Sequence, residues 1–431
     1  MEMLDYVVVG SGIAGMHAAY RLNQQGKKVV VLEKESWVGG RMMTVTVGGH
    51  QVDYGAKIVA NYNKYMLSLA KELGIQPVPR APVTFSILRE GKLYPLDPSK
   101  KIGFLFNRAI SFRAKVQLVL GVLVLLVKYR NLDFYDLEKA IYLDDKSTYD
   151  DLRKLIGAEA FDYIVEPFSQ NVVFYGTKEF SRAFLYSFIP KVPRLKTFSF
   201  SQGIGQLNQK MAESVLVQLN VQVKVVRRTP MGVMVTAVRN GKEVVYQTKR
   251  VVLAVQGNRV LEILADPLSE EKDFFSQVRY ASTVQIIGTA KTDFFADASS
   301  VWTVPKENLS FSSIDSKPWP PPTPGSIFFH AALKGSVYRR LLETGMFDFA
   351  HLQDLIQKEF PRLKDVRVVD MQVWESATPI LYPGYLTKAV HFLNRLNGDN
   401  RIHFCGDYLE NPSTEGALTS SVKLLRRIAA R

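Results

Sequence analysis

The chain has 431 residues, of which 47% are hydrophobic and 22% charged, and a formal net charge of +14. General disorder is excluded, and the length exceeds one typical domain, so two domains are expected. The single cysteine, Cys405, excludes a disulfide framework, and six scattered histidines lack metal-binding spacing, so no metal is expected.

Met1 runs straight into "DYVVVG", so no signal or transit peptide is expected. With one cysteine, this fits a reducing, cytoplasmic setting. Tyr6 to Val9 is a short apolar run ending in glycine and reads as a buried parallel strand. "IAGMHAAYRLNQQG" has helical spacing and stops at Gly26. "KVVVLE" reads as a second buried strand, completing a βαβ unit of about 30 residues.

The turn between strand and helix is "GSGIAG", with Gly10, Gly12 and Gly15. The first glycine permits the tight turn, the second lets backbone approach a pyrophosphate, and the third lets helix and strand pack closely. Ile13 and Ala14 open the helix, whose positive end suits a phosphate. Glu33 follows Gly15 by 18 residues, at the end of the second strand. Its carboxylate can accept from ribose hydroxyls, which argues against a 2′-phosphate. Beyond it, "EKESWVGGRMMT" carries Lys34 and then Gly39, Gly40 and Arg41. A second glycine turn with a forked cation suits a dinucleotide that continues into a bulky ring system.

Asn63 to Leu73 reads as a helix stopped by Gly74. From about residue 76 the texture changes to mixed prolines, aromatics and basic residues. Leu118 to Val127, "LVLGVLVLLV", is wholly apolar, with Arg113 and Lys115 before it and Lys128 and Arg130 after it. As a helix it is ~15 Å long, half a bilayer core. It fits a core helix, a monotopic membrane contact or the lining of an apolar tunnel. Near 198, "FSFSQGIGQLNQKMAESV" suggests a turn leading into a helix. "VQVKVV", "GVMVTAV" and "RVVLAV" follow as three strands. "KPWPPPTPG", Lys317 to Gly325, is a proline-rich loop. The chain closes with a strand, a loop and a basic helix.

The positive charge fits scattered surface lysines, an acidic substrate or an anionic membrane surface. No compact Lys/Arg block is interleaved with aromatics, so no nucleic acid partner is expected.

"VVVGSGIAGMHAAYRL…VVVLEKESWVGGRMMT" resembles the N-terminal FAD signature of the flavin amine oxidase, protoporphyrinogen oxidase and phytoene desaturase superfamily. The resemblance implies FAD, held non-covalently, with Gly39, Gly40 and Arg41 approaching the pyrophosphate and flavin. "QVDYGAKIV" resembles the segment beside the isoalloxazine, which implicates Gly55, Ala56, Lys57 and Ile58. "VQVKVV" resembles the strand whose backbone holds adenine, with Val223 the match by spacing. "FCGDYLENPSTEGALTSS" resembles the C-terminal signature. There Gly406 and Asp407 would meet the pyrophosphate and ribityl chain, and Gly416, Ala417 and Leu418 would present a helix N-terminus to the flavin. "STYDDLRKLIGAEAFDYIVEPFSQNVVFYGTKEFSRAF" is similar in texture to the substrate domain of the protoporphyrinogen oxidase branch.

The implied architecture is α/β: a discontinuous Rossmann-like FAD domain from residues 1–75, 196–262 and 395–431. An α+β substrate domain, 76–195 and 263–394, is inserted into it. The implied function is hydride transfer from an apolar or amphipathic substrate, porphyrinogen- or isoprenoid-like, to flavin N5. An amine substrate and a non-redox flavin enzyme such as a sugar mutase stay open. Gln285 stands where amine oxidases of the superfamily carry a lysine near the flavin, and Lys57 follows Gly55-Ala56. Trp374 and Tyr385 read as pocket or core aromatics. No side chain is assigned as catalytic, His403 included.

Overall fold

The computed structural model describes residues 3–79, 85–96, 107–135, 137–295, 299–317, 324–395 and 400–430. Most of the proline-rich stretch, 318–323, lies outside them. The strands, in chain order, are β1 (Leu4–Val9), β2 (Val29–Leu32), β3 (Thr44–Val47), β4 (His50–Asp53), β5 (Val59–Ala60), β6 (Pro77–Pro79), β7 (Phe85–Arg89) and β8 (Lys92–Leu96). Then follow β9 (Thr197–Phe200), β10 (Leu216–Gln218), β11 (Val221–Thr229), β12 (Gly232–Arg239) and β13 (Lys242–Leu253). The last are β14 (Tyr280–Lys291), β15 (Ser300–Thr303), β16 (Phe311–Lys317), β17 (Ser326–Lys334), β18 (Lys364–Pro379) and β19 (Ile402–Phe404).

Two sheets organise the chain. The first has the order β10-β2-β1-β13-β12-β11, with β19 also beside β13. The β10, β2, β1, β13 and β19 pairings are parallel, and β11, β12 and β13 form an antiparallel meander. β1 and β2 are apolar throughout their centres because both faces are covered. Helix α1 (Ile13–Gln24) lies on one face with the C-terminal helix Thr414–Ala429. The other face joins a large core shared with aromatics such as Phe134, Phe184, Phe275 and Tyr385.

The second sheet has the order β18-β14-β17-β16-β15-β7-β8. Strict alternation divides its central strands. Val284, Ile286, Ala331 and Leu333 pack on one face with the helices Gly335–Glu343 and Phe349–Glu359. Gln285, Ile287 and His330 take the opposite face, where Ile287 meets Val47, Val52 and Tyr54 of the β3–β4 hairpin segment.

Some expected elements shift. The strand signal in "RVVLAV" is the end of β13, which begins earlier, at Lys242, and spans 12 residues. "FSF" at 198–200 belongs to β9, and the turn comes after it, before the helix Gln206–Ala212. Helix α2 spans Lys64–Glu72. The apolar run 118–127 is the inner part of a longer helix, α3 (Phe112–Lys128), whose start is fixed when Ser111 Oγ accepts from Ala114 N at 3.2 Å. Polar capping, not hydropathy, sets where it begins.

Candidate cofactor site between the two sheets

The N-terminal turn is built by close approach. Gly10 has φ +101°, and a Cβ on Gly15 would stand 2.1 Å from Gly10 O. Gly12 differs: it has φ −62°, and an added Cβ would meet nothing within 4 Å. It bridges in parallel fashion to Gly39, whose φ of +121° makes the second turn. Gly39 N donates to Ser11 O at 3.0 Å, so the two glycine turns lie side by side with a gap facing Gly12.

Glu33 is buried at the end of β2. Its Oε2 accepts from Ser11 N at 2.8 Å and Ser11 Oγ at 2.7 Å, and its Oε1 from Glu35 N at 3.0 Å. A carboxylate offers about four lone-pair sites, so one acceptor position is left for a hydroxyl. Its carbonyl accepts from Val221 N at 2.8 Å, which sets β11 and Val223 beside it. The Lys34 side chain is exposed and pairs with Glu35 at 3.3 Å.

Arg41 joins three parts of the chain. Its Nη1 and Nη2 donate to Asp407 Oδ2 and Oδ1 at 2.6 and 2.9 Å, a forked pair, and Nη1 also donates to Ala377 O of β18 at 2.8 Å. Burial works against the Arg41 charge, but Asp407 and Tyr280 more than offset it and hold the guanidinium above its ordinary pKa. Gly55 sits directly on this arginine: a Cβ there would lie 1.8 Å from Arg41 O, and Ala56 N donates to that oxygen at 3.0 Å. Ile58 is exposed.

The C-terminal helix completes the arrangement. Ser413 Oγ caps it by accepting from Gly416 N at 3.0 Å, and Gly406 N donates to Ser420 Oγ at 2.8 Å. Gly416, Ala417 and Leu418 are buried near its start. Sequence reasoning missed Glu415. It is fully buried and caps α2, with Oε1 and Oε2 accepting from Tyr65 N and Met66 N at 2.8 and 3.0 Å. Burial pushes its pKa up to about 7. The signal was a lone acid inside the otherwise uncharged "STEGAL".

The segment after Gly55 faces the second sheet. Lys57 Nζ donates to Gln285 Oε1 at 2.8 Å, and Gln285 Nε2 donates to Thr283 Oγ1 at 3.1 Å. Trp374 Nε1 donates to Tyr54 O at 3.0 Å. His330 is also on this face. Both its ring nitrogens are buried without a hydrogen-bond partner, and burial followed by the nearby Lys57 charge holds its pKa well below the ordinary value. His330 too escaped sequence reasoning, since a lone histidine in "SIFFHAALK" reads as a strand residue. Tyr385, by contrast, is core: its hydroxyl donates to Tyr408 O at 2.9 Å.

The residues fit a bound dinucleotide. The open side of Gly12 provides the space, α1 and the C-terminal helix aim N-termini, and buried Trp37 Nε1, Asn208 Oδ1 and Thr419 Oγ1, all from the flanking segments, lack protein partners. The fold and site thus define a protein built on a dinucleotide-binding sheet.

The family description "Flavin containing amine oxidoreductase" matches residues 13–424. The chain belongs to this family of FAD-dependent oxidoreductases, and FAD is its cofactor. It is 27% identical over 168 residues to protoporphyrinogen oxidase 2, chloroplastic/mitochondrial, of Arabidopsis thaliana, covering 37% of this chain and 31% of the relative. It is 45% identical over 78 residues to amine oxidase [flavin-containing] A of Sus scrofa, covering 17% and 14%. The matched stretches thus span less than a third of either relative. Among solved structures, wild-type putrescine oxidase bound to putrescine aligns over 100% of both chains, with TM-score 0.75 and 17% identity.

Proposed function

We propose that this chain uses non-covalent FAD to oxidise a neutral or acidic, apolar or amphipathic small molecule of the porphyrinogen or isoprenoid kind. The cofactor, when bound, supplies the hydride acceptor at flavin N5. The observation that carries the reading is the convergence of both glycine turns, the Arg41–Asp407 fork and the C-terminal helix start around the open side of Gly12.

In this reading residues 1–75, 196–262 and 395–431 hold the cofactor, and 76–195 and 263–394 shape the substrate space. Gly10, Gly12, Ile13, Ala14 and Gly15 receive the pyrophosphate, Glu33 a ribose hydroxyl, and the backbone at Val223 the adenine. Gly39, Gly40, Arg41, Gly406 and Asp407 enclose the middle of the cofactor. Gly55, Ala56 and Lys57 flank the ring system, opposite Gly416, Ala417 and Leu418. The helix end favours negative charge on the reduced ring. Cys405 is buried and its thiol pushed up to about 12, which speaks against a covalent link through it.

Lys57 supports the substrate class. Its ammonium lies against Gln285 and acts on His330. A carboxylate-bearing substrate would meet an opposite charge there. An amine is the second reading, favoured by the likeness to amine oxidase A.

Anaerobic mixing with a porphyrinogen, an isoprenoid and a primary amine tests the choice. Bleaching of the flavin bands by the porphyrinogen or the isoprenoid is expected. Bleaching by the amine alone would reverse it.

A further inference from the structure

Helix α3 is apolar on two sides. Ala114, Gly121 and Leu125 are buried against the core, and Gly121 is packed so closely that a Cβ would stand 2.6 Å from Ile156 Cγ2. Buried Tyr129 ends the helix and lies 5.0 Å from Tyr186, ring to ring. The helix is firmly docked by this inner face. Yet a second row, Phe112, Val116, Val119, Leu120, Leu123, Val124 and Val127, faces outward. Phe112 is 70% exposed, Leu120 59%, Leu123 52% and Val127 72%.

The outward row recurs every three or four residues, so it forms one continuous stripe along the helix. Over its length of about 22 Å it is too large to be the scattered apolar exposure of an ordinary surface. Leu155, also exposed, borders Gly121, and the 3-10 turn Ile189–Arg194 packs beside the helix. Exposed Val192 and Leu195 extend the apolar area there.

The charged side chains on the helix and on the adjoining turn have one sign. Arg113, Lys128 and Arg130 are exposed at its two ends, and Arg194 and Lys196 on the neighbouring turn. No acidic residue occurs from Phe112 to Arg130. Glu159, beside the helix start, is engaged by Ser111 Oγ at 2.6 Å and by Arg89 at 3.5 Å. No helix among the described residues is long and apolar enough to cross a membrane.

We propose that the outer face of α3, with the adjoining turn, is a docking surface for an anionic lipid bilayer, on which the helix lies flat. Apolar side chains enter the acyl boundary while the basic rim meets lipid phosphates and carboxylates. A second copy of this chain would bring the same cations against these, which argues against self-association through this face. The inference does not rest on the flavin chemistry.

The test is co-sedimentation of the FAD-loaded protein with phosphatidylcholine vesicles, with and without phosphatidylserine. The wild-type protein is expected to pellet with the phosphatidylserine vesicles and to be released by salt. The exposed double substitution Leu120→Gln/Leu123→Gln should lower partitioning 10-fold or more. The triple Arg113→Gln/Lys128→Gln/Arg130→Gln should lower it about 100-fold and remove the preference for anionic lipid. Both variants should keep flavin and thermal midpoint, since they change solvent-facing positions. The proposal is overturned if the wild type stays in the supernatant at low salt, or if partitioning ignores both variants. It is equally overturned if the protein is a dimer that Leu120→Gln/Leu123→Gln dissociates, which would assign the face to a second copy.

Discussion

Arg41 and Asp407 are 366 positions apart and meet through two charge-assisted hydrogen bonds. Each was singled out from its own glycine signature, but their pairing is a long-range contact that no local pattern carries. Asp407 is almost wholly buried, so Arg41→Ala would strand its charge. Denaturant unfolding should show a loss of roughly 3 kcal/mol, and flavin should be lost on gel filtration. An unchanged midpoint would contradict the pairing. Lys57 makes a separate prediction: Lys57→Met should slow substrate bleaching about 10-fold while the protein stays yellow, because it alters the space facing Gln285 and not the dinucleotide cradle. Glu415 predicts a pH dependence. Its folded pKa is raised, so its stabilising contribution is full below the ordinary value of 4.5 and is lost as pH rises through about 7. Relative to Glu415→Gln, which stays neutral, the wild type should therefore weaken between about pH 5 and pH 8, by up to roughly 3 kcal/mol. A constant difference across that range would exclude the titration. Glu415 was hidden in the sequence because a capping partner on α2, some 350 positions away, leaves no local mark.

At the scale of elements, the βαβ turn was legible because its glycines have distinct mechanical duties. The structure separates those duties and makes them testable. Gly15→Ala places a methyl against backbone at Gly10 and should lower the stability of the flavin-free protein by several kcal/mol. Gly12→Ala has room in the protein and an ordinary φ, so the flavin-free form should melt as the wild type does. It should nevertheless bind FAD at least 10-fold more weakly, because the methyl would occupy the space proposed for phosphate. Equal affinity for FAD would place the pyrophosphate elsewhere. Helix α3 was less legible. Its apolar run was visible, but hydropathy cannot tell which apolar face meets the core and which meets something else. Gly121 marks the inner face only once Ile156 is seen against it.

Across the whole molecule, the first sheet draws strands from three distant stretches, with β1 and β19 on either side of the end of β13. The return of strand texture after residue 198 hinted at this, because short runs of valine bounded by turns recur there. The strand order and the second sheet were not readable, since pairings such as β14 with β17 and β18 depend on register across many residues. What unites the two sheets is the space between Gly12, Arg41, Lys57 and the C-terminal helix. The claim that this space holds flavin is most directly tested by the visible absorption of the purified protein, followed by that of the supernatant after heat denaturation. The account predicts flavin bands that pass into the supernatant. Bands that stay with the pellet would contradict non-covalent binding, and a colourless protein that takes up no added FAD would contradict the cofactor site itself.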